Sequence, residues 1–594
     1  MSLQVFRDPL KILTDFVVQA PSYIIFKDSS GRIYAKNGDT GQIEFVDTDI
    51  SNLLQNVINT LYSKYSGGRV FIKRGVYFPT KTINIPDGIN LIIEGEGNNT
   101  VFKYTSQFIL FLHRNEASPT WTSTIIFKNF KIDRSGSGSN NTDIISITYA
   151  RFVKFENIEI VDDYREVDGD AGIAGYNNIV AVAENCRVYN KSYGIWLFGL
   201  LSILKGNYVE NTAKVGIGGA GLLPQNFQLP PGYSAGGITI IEDNVCIDCG
   251  RVDEAISVDY GASSPSNYGV GIIRNNLVAT RNYSTKHFIT AIRVAKVVIE
   301  NNVVEGSATD AAVLVSTSGT GAYCAMRNNV INVTMNGVTP SPIVIYRDVV
   351  ILENNRVNAV YQNISSNPGQ VVYTDSVKMI ARGNVFITSI PSGYRVDSII
   401  HSELRGDDTN PSLAEVESNE FYVNGNVYYI VFVAENNSYS SAKPFVKVVK
   451  NLMNVVNGSA NVLFNIVMRG NVEYAVVRDN MTNANVASKV GGWASVSGAT
   501  LYIDSDIPVS VSMSYYYTKV NKGVATFSGD GSTTQFKIPH KLATTPSKVL
   551  VMPGSKDASG SFYVTADSQY IYVNYSTAPP SGTNNVVLYW YAEV

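Results

Sequence analysis

The sequence predicts an all-β chain wound as a right-handed, single-stranded parallel β-helix of about fourteen rungs, opened by a capping helix and closed by an antiparallel β-sandwich. Three observations predict it. Short alternating apolar runs (Val70, Ile72; Ile83, Ile85; Leu91, Ile93) are broken every few residues by glycine, proline or asparagine, so residues 67–104 leave no room for a helix. One asparagine recurs thirteen times in a similar apolar setting. Finally, 594 residues exceed what one ordinary core can hold, so the chain must divide into domains or repeat a small unit.

The repeat is an apolar strand, an asparagine and a second short strand. Its asparagines are Asn129, Asn157, Asn185, Asn207, Asn244, Asn276, Asn302, Asn329, Asn355, Asn384, Asn419, Asn451 and Asn480. The shortest step is 22 residues (Asn185 to Asn207) and the longest 37 (Asn207 to Asn244). A period near thirty without helix is what a coil of stacked strands requires. Asparagine suits a corner because it tolerates left-handed backbone, and stacked amides can hydrogen-bond along the coil.

The other elements follow in order. Residues 1–47 read as an arm and a small β layer, the latter built on SYIIFKDSSGRIYAKNGDTGQIEFV. Residues 48–66 hold an amphipathic helix over TDISNLLQNVINTLY: Thr48 or Asp49 caps it, and Leu53, Leu54, Val57, Ile58 and Leu61 share one face. Such a helix would plug the open end of a coil spanning 67–500. A linker at 501–522 precedes residues 523–594, where Ile571, Val573 and Tyr575 alternate with Tyr570, Tyr572 and Asn574 between the turns GDGS, PGS and PPSG, the pattern of an antiparallel sandwich.

Composition narrows the function. A net charge of −3 leaves no basic face for nucleic acid. Arg7, Asp8, Lys11 and Asp15 interrupt the N-terminal apolar stretch, so the chain reads as soluble and without a signal peptide or membrane insertion. Cys246 and Cys249 form a C-x-x-C without a second ligand pair, and Cys186 and Cys324 stand alone. All four read as buried apolar residues, with no metal and no cofactor.

GGRVFIKRGVYFPTKTINIPDGINLIIEGEG resembles the entry rungs of the pectate-lyase-like β-helix superfamily, over about residues 45–500. That superfamily includes lyases, hydrolases, viral tailspikes and inert structural proteins, so the resemblance implies fold more than chemistry. Residues 524–594 resemble the small terminal modules of viral fibre and spike proteins, which implies attachment or glycan contact. The tailspike resemblance implies a homotrimer at the virion surface, extracellular, partnered by other virion proteins and by host-surface polysaccharide or glycoprotein. In that arrangement the N-terminal arm attaches to the particle. The entry region and low charge also resemble proteins of thermophilic archaea and their viruses.

Function on a coil sits where loops leave it. Two long insertions, 216–237 and 250–269, fall on adjacent repeats and form one lip, in which Tyr233, Asp253, Glu254, Asp259, Tyr260 and Tyr268 are candidate glycan-binding residues. Carboxylates at VDDYREVDGD (162–170) and at His401, Glu403, Arg405, Asp407 and Asp408 are further candidates. Asn141-Thr142-Asp143 followed by Asp162-Asp163 resembles two elements of the polygalacturonase branch, which implies catalysis by Asp143, Asp162 and Asp163. The G-H-G and R-x-K partners of that branch are missing, since Arg293 and Lys296 in RVAK have the wrong spacing. The reading therefore favours a binding protein over a polysaccharide hydrolase or lyase, with a purely structural fibre as a third class. Asn98, Asn140, Asn190, Asn282, Asn332, Asn363, Asn436, Asn457 and Asn574 are glycosylation candidates. A tenth acceptor, Asn480, is expected to be buried in the ladder.

Overall fold

A computed structural model describes residues 22–114, 118–136, 142–163, 170–222, 231–232, 236–260, 269–316, 321–407, 411–435, 445–468, 474–482, 486–494, 501–503, 509–511, 520–542 and 544–594. The chain divides into two compact units, Met1–Val372 and Tyr373–Val594. The predicted arm (1–21), most of the predicted linker, and the candidates Tyr233, Tyr268, Asp408, Asn140 and Asn436 lie outside the described residues.

The first unit begins with an antiparallel meander, Tyr23–Lys27, Ile33–Asn37 and Ile43–Asp47. Its first strand also pairs in parallel with Gly67–Ile72, Tyr23 opposite Val70, so the meander is joined edge to edge with the strands that follow. The helix runs Ile50–Tyr65. Asp49 caps it, its carboxylate accepting from the Ser51 amide at 2.8 Å, and Ser66 ends it in left-handed conformation. Leu53, Leu54, Val57, Ile58 and Leu61 are all buried, as their spacing on one face requires.

From Gly67 the unit is a parallel β-helix, each strand pairing with its equivalent one turn later. Thr124–Asp133 lies beside Phe152–Val161 with Phe127 opposite Phe155 and Ile132 opposite Ile160. Strand alternation sends one side chain in and the next out. Inside, Phe127 and Phe155 stack with centroids 5.7 Å apart, and Phe102 meets Phe130 edge-on at 5.4 Å. Outside, Lys205, Glu242, Arg274 and Glu300 occupy successive register positions with alternating sign. Glu242 is bridged by Lys205 at 3.0 Å and by Arg274 at 2.6 Å, an arrangement that avoids stacking like charges. A neighbouring outward file, Ile203, Ile240, Ile272 and Val298, is apolar and half-buried.

The corners carry a distinction the repeat does not spell out. At Asn129, Asn157 and Asn185 the asparagine itself is left-handed (φ 60, 53 and 55°). From Asn207 onward the left-handed residue is the one before it: Gly206, Asp243, Asn275, Asn301, Asn328 and Asn354. The marker asparagine is then buried and its amide forms the ladder. Asn244 Nδ2 and backbone N–H both donate to Asn276 Oδ1 at 3.0 Å, while Asn244 Nδ2 also donates to Leu204 O at 2.9 Å. The same set recurs at Asn276, Asn302 and Asn329. The first three markers are therefore out of step by one residue: Phe130, Ile158 and Cys186 hold their ladder positions, and the Cys186 amide donates to Asn207 Oδ1 at 2.9 Å.

The second unit repeats this construction. Asn384, Asn419, Asn451 and Asn480 form a ladder behind left-handed Gly383, Ser418, Lys450 and Asp479. Asn480 is half-buried rather than buried, because it is the last described rung of that ladder and stacks on Asn451 from one side. The unit ends in two three-stranded antiparallel sheets. One contains Val520–Gly529, Lys548–Pro553 and Gly582–Glu593, the other Gln535–Pro539, Phe562–Ala566 and Tyr570–Tyr575. Ile571, Val573, Tyr575, Val586 and Leu588 share one core between them.

All four cysteines are free and buried. Cys249 Sγ donates to Val209 O at 3.4 Å, and burial pushes the Cys186 and Cys324 thiols up to about 12.

Candidate functional site

The three residues singled out for catalysis have different surroundings, although Asp143 feels the same Lys191 and Arg134 that hold Asp162. Asp162 sits in a sealed ion cluster with Arg134, Asp170 and Lys191, each with a side chain 0% exposed. Arg134 Nη2 donates to Asp162 Oδ2 at 2.6 Å and Lys191 Nζ to the same oxygen at 2.9 Å; Lys191 also pairs with Asp170. The residues are 28 and 29 positions apart, one turn of the coil each, so they stack on successive rungs. Two cations face two carboxylates, and both charges of each pair are desolvated together. Lys191 is pulled down to about 7 by burial and by Arg134, while Arg134 and Lys191 hold Asp162 low against its own burial. Asp143 is pushed up by burial, and its Oδ1 accepts from the Ala171 amide at 3.0 Å. Asp163 turns away and accepts from the Gly136 amide at 2.8 Å.

On the predicted lip, adjacent residues face opposite ways. Tyr260 was expected to contact glycan, but it is fully buried, and its hydroxyl donates to the backbone at Val270 O, 3.0 Å away. Its parity in the strand is that of Ile256 and Val258, which sends the ring into the coil. Asp259, of the other parity, is held by Arg293 in a two-pronged pair at 2.9 and 2.5 Å. Glu254 is pushed up to about 8 by burial and by the neighbouring Asp253 carboxylate. It lies in register with His287, which burial holds below its usual range and whose Nε2 faces Asp310 Oδ2 at 3.1 Å. The Arg251 guanidinium lies 3.1 Å from the centre of the Tyr283 ring.

An aromatic group absent from the sequence candidates stands beside these strands. Within Tyr193–Lys205, Trp196 meets Phe198 edge-on at 5.1 Å and Tyr193 at 5.7 Å, and Phe198 stacks on Tyr176 at 5.5 Å. Trp196 is in register with Gly218, and Gly218 with Ser257. The indole lies against Gly218, where any Cβ would enter the ring. Glycine thus supplies a floor, and Trp196 and Tyr193 remain partly exposed above it. The signal was available, because YGIWLFG and GIGGAG are successive repeats with bulky rings set over glycines.

Other candidates fall as follows. His401 Nε2 faces Glu403 Oε1 at 3.1 Å, and Arg405 pairs with Asp375. Asn98, Asn282, Asn363 and Asn457 are exposed, whereas Asn190, Asn332 and Asn574 are half-buried. Asn282 Nδ2 is already engaged with Asp248 Oδ2 at 2.6 Å. His113 is buried, with Nδ1 2.7 Å from Thr148 O and Nε2 2.9 Å from Ser123 Oγ. No helix among the described residues is long and apolar enough to cross a membrane.

No family model and no curated protein matches the chain. Among solved structures it aligns with the tailspike gp61 of Pseudomonas phage phi297 at 9% identity and TM-score 0.34, covering 91% of each chain. It also aligns with the gp54 tailspike of Acinetobacter baumannii bacteriophage AP22, solved with a capsular saccharide, at 11% identity and TM-score 0.28, covering 92% of this chain and 94% of that one. A third match is the DFA-IIIase of Arthrobacter chlorophenolicus A6, at 13% identity and TM-score 0.32, covering 61% and 92%. At such loose superposition these likenesses carry no functional argument, and the parallel β-helix is established by the chain's own strand pairing.

Proposed function

We propose that the chain is a tailspike-like protein of a virion surface that contacts host-surface glycans. The observation that carries the reading is the Trp196 indole lying over Gly218, flanked by Tyr193 and Phe198, with the Asp259–Arg293 pair nearby in the strand order. A sugar offers an apolar C–H face and a rim of hydroxyls. Flat amphipathic rings beside fixed charged hydrogen-bonding groups match both at low entropic cost. Asp253, Glu254 and Asp259 belong to the same surface in this reading. The helix Ile50–Tyr65 caps the coil, the two C-terminal sheets form a sandwich, and the arm before residue 22 attaches to the particle. A homotrimer belongs to the proposal too, supported by the outward apolar file Ile203, Ile240, Ile272 and Val298, which solvent alone would leave uncovered. The test is a polysaccharide panel probed with the intact chain: Trp196→Ala is expected to lose at least tenfold in affinity, and undiminished binding would reject the site.

Polysaccharide hydrolysis is the second reading, favoured by Glu254. A carboxyl at about 8 beside Asp253 is still protonated at neutral pH, the state required of a general acid. New reducing ends that vanish in Glu254→Gln would establish it. Catalysis at Asp143, Asp162 and Asp163 is the weaker form, since Asp162 is already paired with Arg134 and Lys191 in a sealed cluster. A purely structural fibre would show neither binding nor product.

A further inference from the structure

In the second unit, rings are stacked on the outside of the coil. Tyr373, His401 and Phe432 stand on three strands, His401 directly in register with Phe432. Their centroids are 5.4 Å apart from Tyr373 to His401 and 4.4 Å from His401 to Phe432. Tyr429 lies 5.2 Å from Phe432, Tyr428 crosses Tyr429 at 4.5 Å, and the Arg395 guanidinium caps Tyr428 at 4.7 Å. All five rings are partly exposed, while Ile400, Val431 and Phe464, in register beneath, fill the interior. At these rungs the interior is therefore filled by Ile400, Val431 and Phe464 rather than by the outer rings.

The polar groups around the stack set the chemistry it suits. Glu403 holds the His401 ring at 3.1 Å, Asn465 continues the file past Phe432, and Asp397 and Arg395 are exposed at its side. Burial keeps His401 below its usual range, so at neutral pH the imidazole is uncharged. Among the described residues beside the stack, Arg395 stands with Asp397 and Glu403 and Arg405 is already paired with Asp375, which gives no field for a polyanion such as nucleic acid, which needs clustered Lys and Arg. A protein partner would favour a core depleted of charge, whereas here charges are interleaved with the rings. What remains is a ligand with apolar faces and hydroxyl edges repeated along a line, because the stack repeats at the strand spacing of about 4.8 Å.

We propose that Tyr373, His401, Phe432, Tyr429 and Tyr428 form a second saccharide-binding surface, for a linear, uncharged or weakly charged polysaccharide lying along the stack. The proposal rests on the reading of the chain as a glycan-contacting protein, but it uses residues remote in sequence from Trp196 and Asp259.

The experiment is affinity electrophoresis of the intact chain through gels containing hydroxyethyl cellulose, galactomannan, xylan or alginate. Wild type is expected to be retarded by at least one neutral polymer. Phe432→Leu, which keeps the apolar contact and removes the ring, and Tyr429→Ala are each expected to weaken that retardation at least tenfold. Val338→Ala, at an exposed position of the first unit outside both proposed surfaces, is expected to leave it in place. If Phe432→Leu and Tyr429→Ala both retain wild-type retardation while Trp196→Ala abolishes it, the second surface is overturned and the proposed function stands. Retardation by alginate alone, lost in moderate salt, overturns the uncharged class. No retardation of wild type by any polymer rejects both. Melting curves for Phe432→Leu within a few degrees of wild type separate lost binding from lost folding.

Discussion

Replacing Asn302 by alanine is expected to destabilise the first unit by about 4 kcal/mol, whereas replacing its neighbour Asn301 by glycine leaves stability almost unchanged. The Asn302 amide makes four hydrogen bonds. Its Oδ1 accepts from Asn276 N at 3.0 Å and Asn276 Nδ2 at 2.9 Å, and its Nδ2 donates to Ile273 O and Asn329 Oδ1, both at 3.0 Å. At about 0.5–1.5 kcal/mol net for each bond the loss is about 2–6 kcal/mol. The upper half applies because Asn276 is 1% exposed and keeps two donors that no water reaches. Asn301 is exposed with φ 56°, a conformation glycine adopts freely. The assay is urea unfolding of both variants followed by circular dichroism, read at constant slope, with hydrogen exchange of the adjacent strands reporting local opening. A loss below about 1 kcal/mol for Asn302→Ala, or equal losses for the two variants, would refute the ladder as a stabilising element.

Three further outcomes follow from the same geometry. Asp162→Asn strands a buried cation and is expected to cost about 3–5 kcal/mol in unfolding experiments, so any activity it loses must be compared with its melting curve. Glu254 has a folded value of about 8, above its unfolded one; it therefore binds its proton more tightly when folded, and stability falls as pH rises from about 4.5 to about 8. Glu254→Gln should flatten that fall and gain up to a few kcal/mol at pH 8, measured as the difference between wild-type and variant melting across the range. Gly218→Ala pushes its new methyl into the Trp196 ring and should shift the tryptophan emission while far-ultraviolet dichroism stays the same.

The coil was legible because a repeat imposes the same strand, corner and strand on every turn, and thirteen asparagines marked it. What each asparagine does was not legible. Asn275 and Asn276, or Asn301 and Asn302, are chemically identical neighbours, yet one takes the left-handed turn and the next enters the ladder, and an amide serves either purpose. Asp259 and Tyr260 share a loop, yet strand parity separates them: Ile256, Val258 and Tyr260 are buried, whereas Asp259 is half-exposed and paired with Arg293. The sealed cluster was hidden for a different reason. Arg134, Asp162 and Lys191 look unrelated in a linear reading and become partners only when the chain is folded at its own period. The role of Trp196 is not legible locally, because it depends on Gly218, one repeat later.

The most direct measurement is tryptophan fluorescence of the intact chain titrated with the polysaccharide that binds it best. Read in a Trp493→Phe background, contact at the ring above Gly218 predicts a saturable change in emission that disappears when Trp196→Phe is added, since Trp121 is buried and Trp590 lies in the C-terminal sheets. No change on saturation, or the same change in Trp196→Phe, would contradict the account.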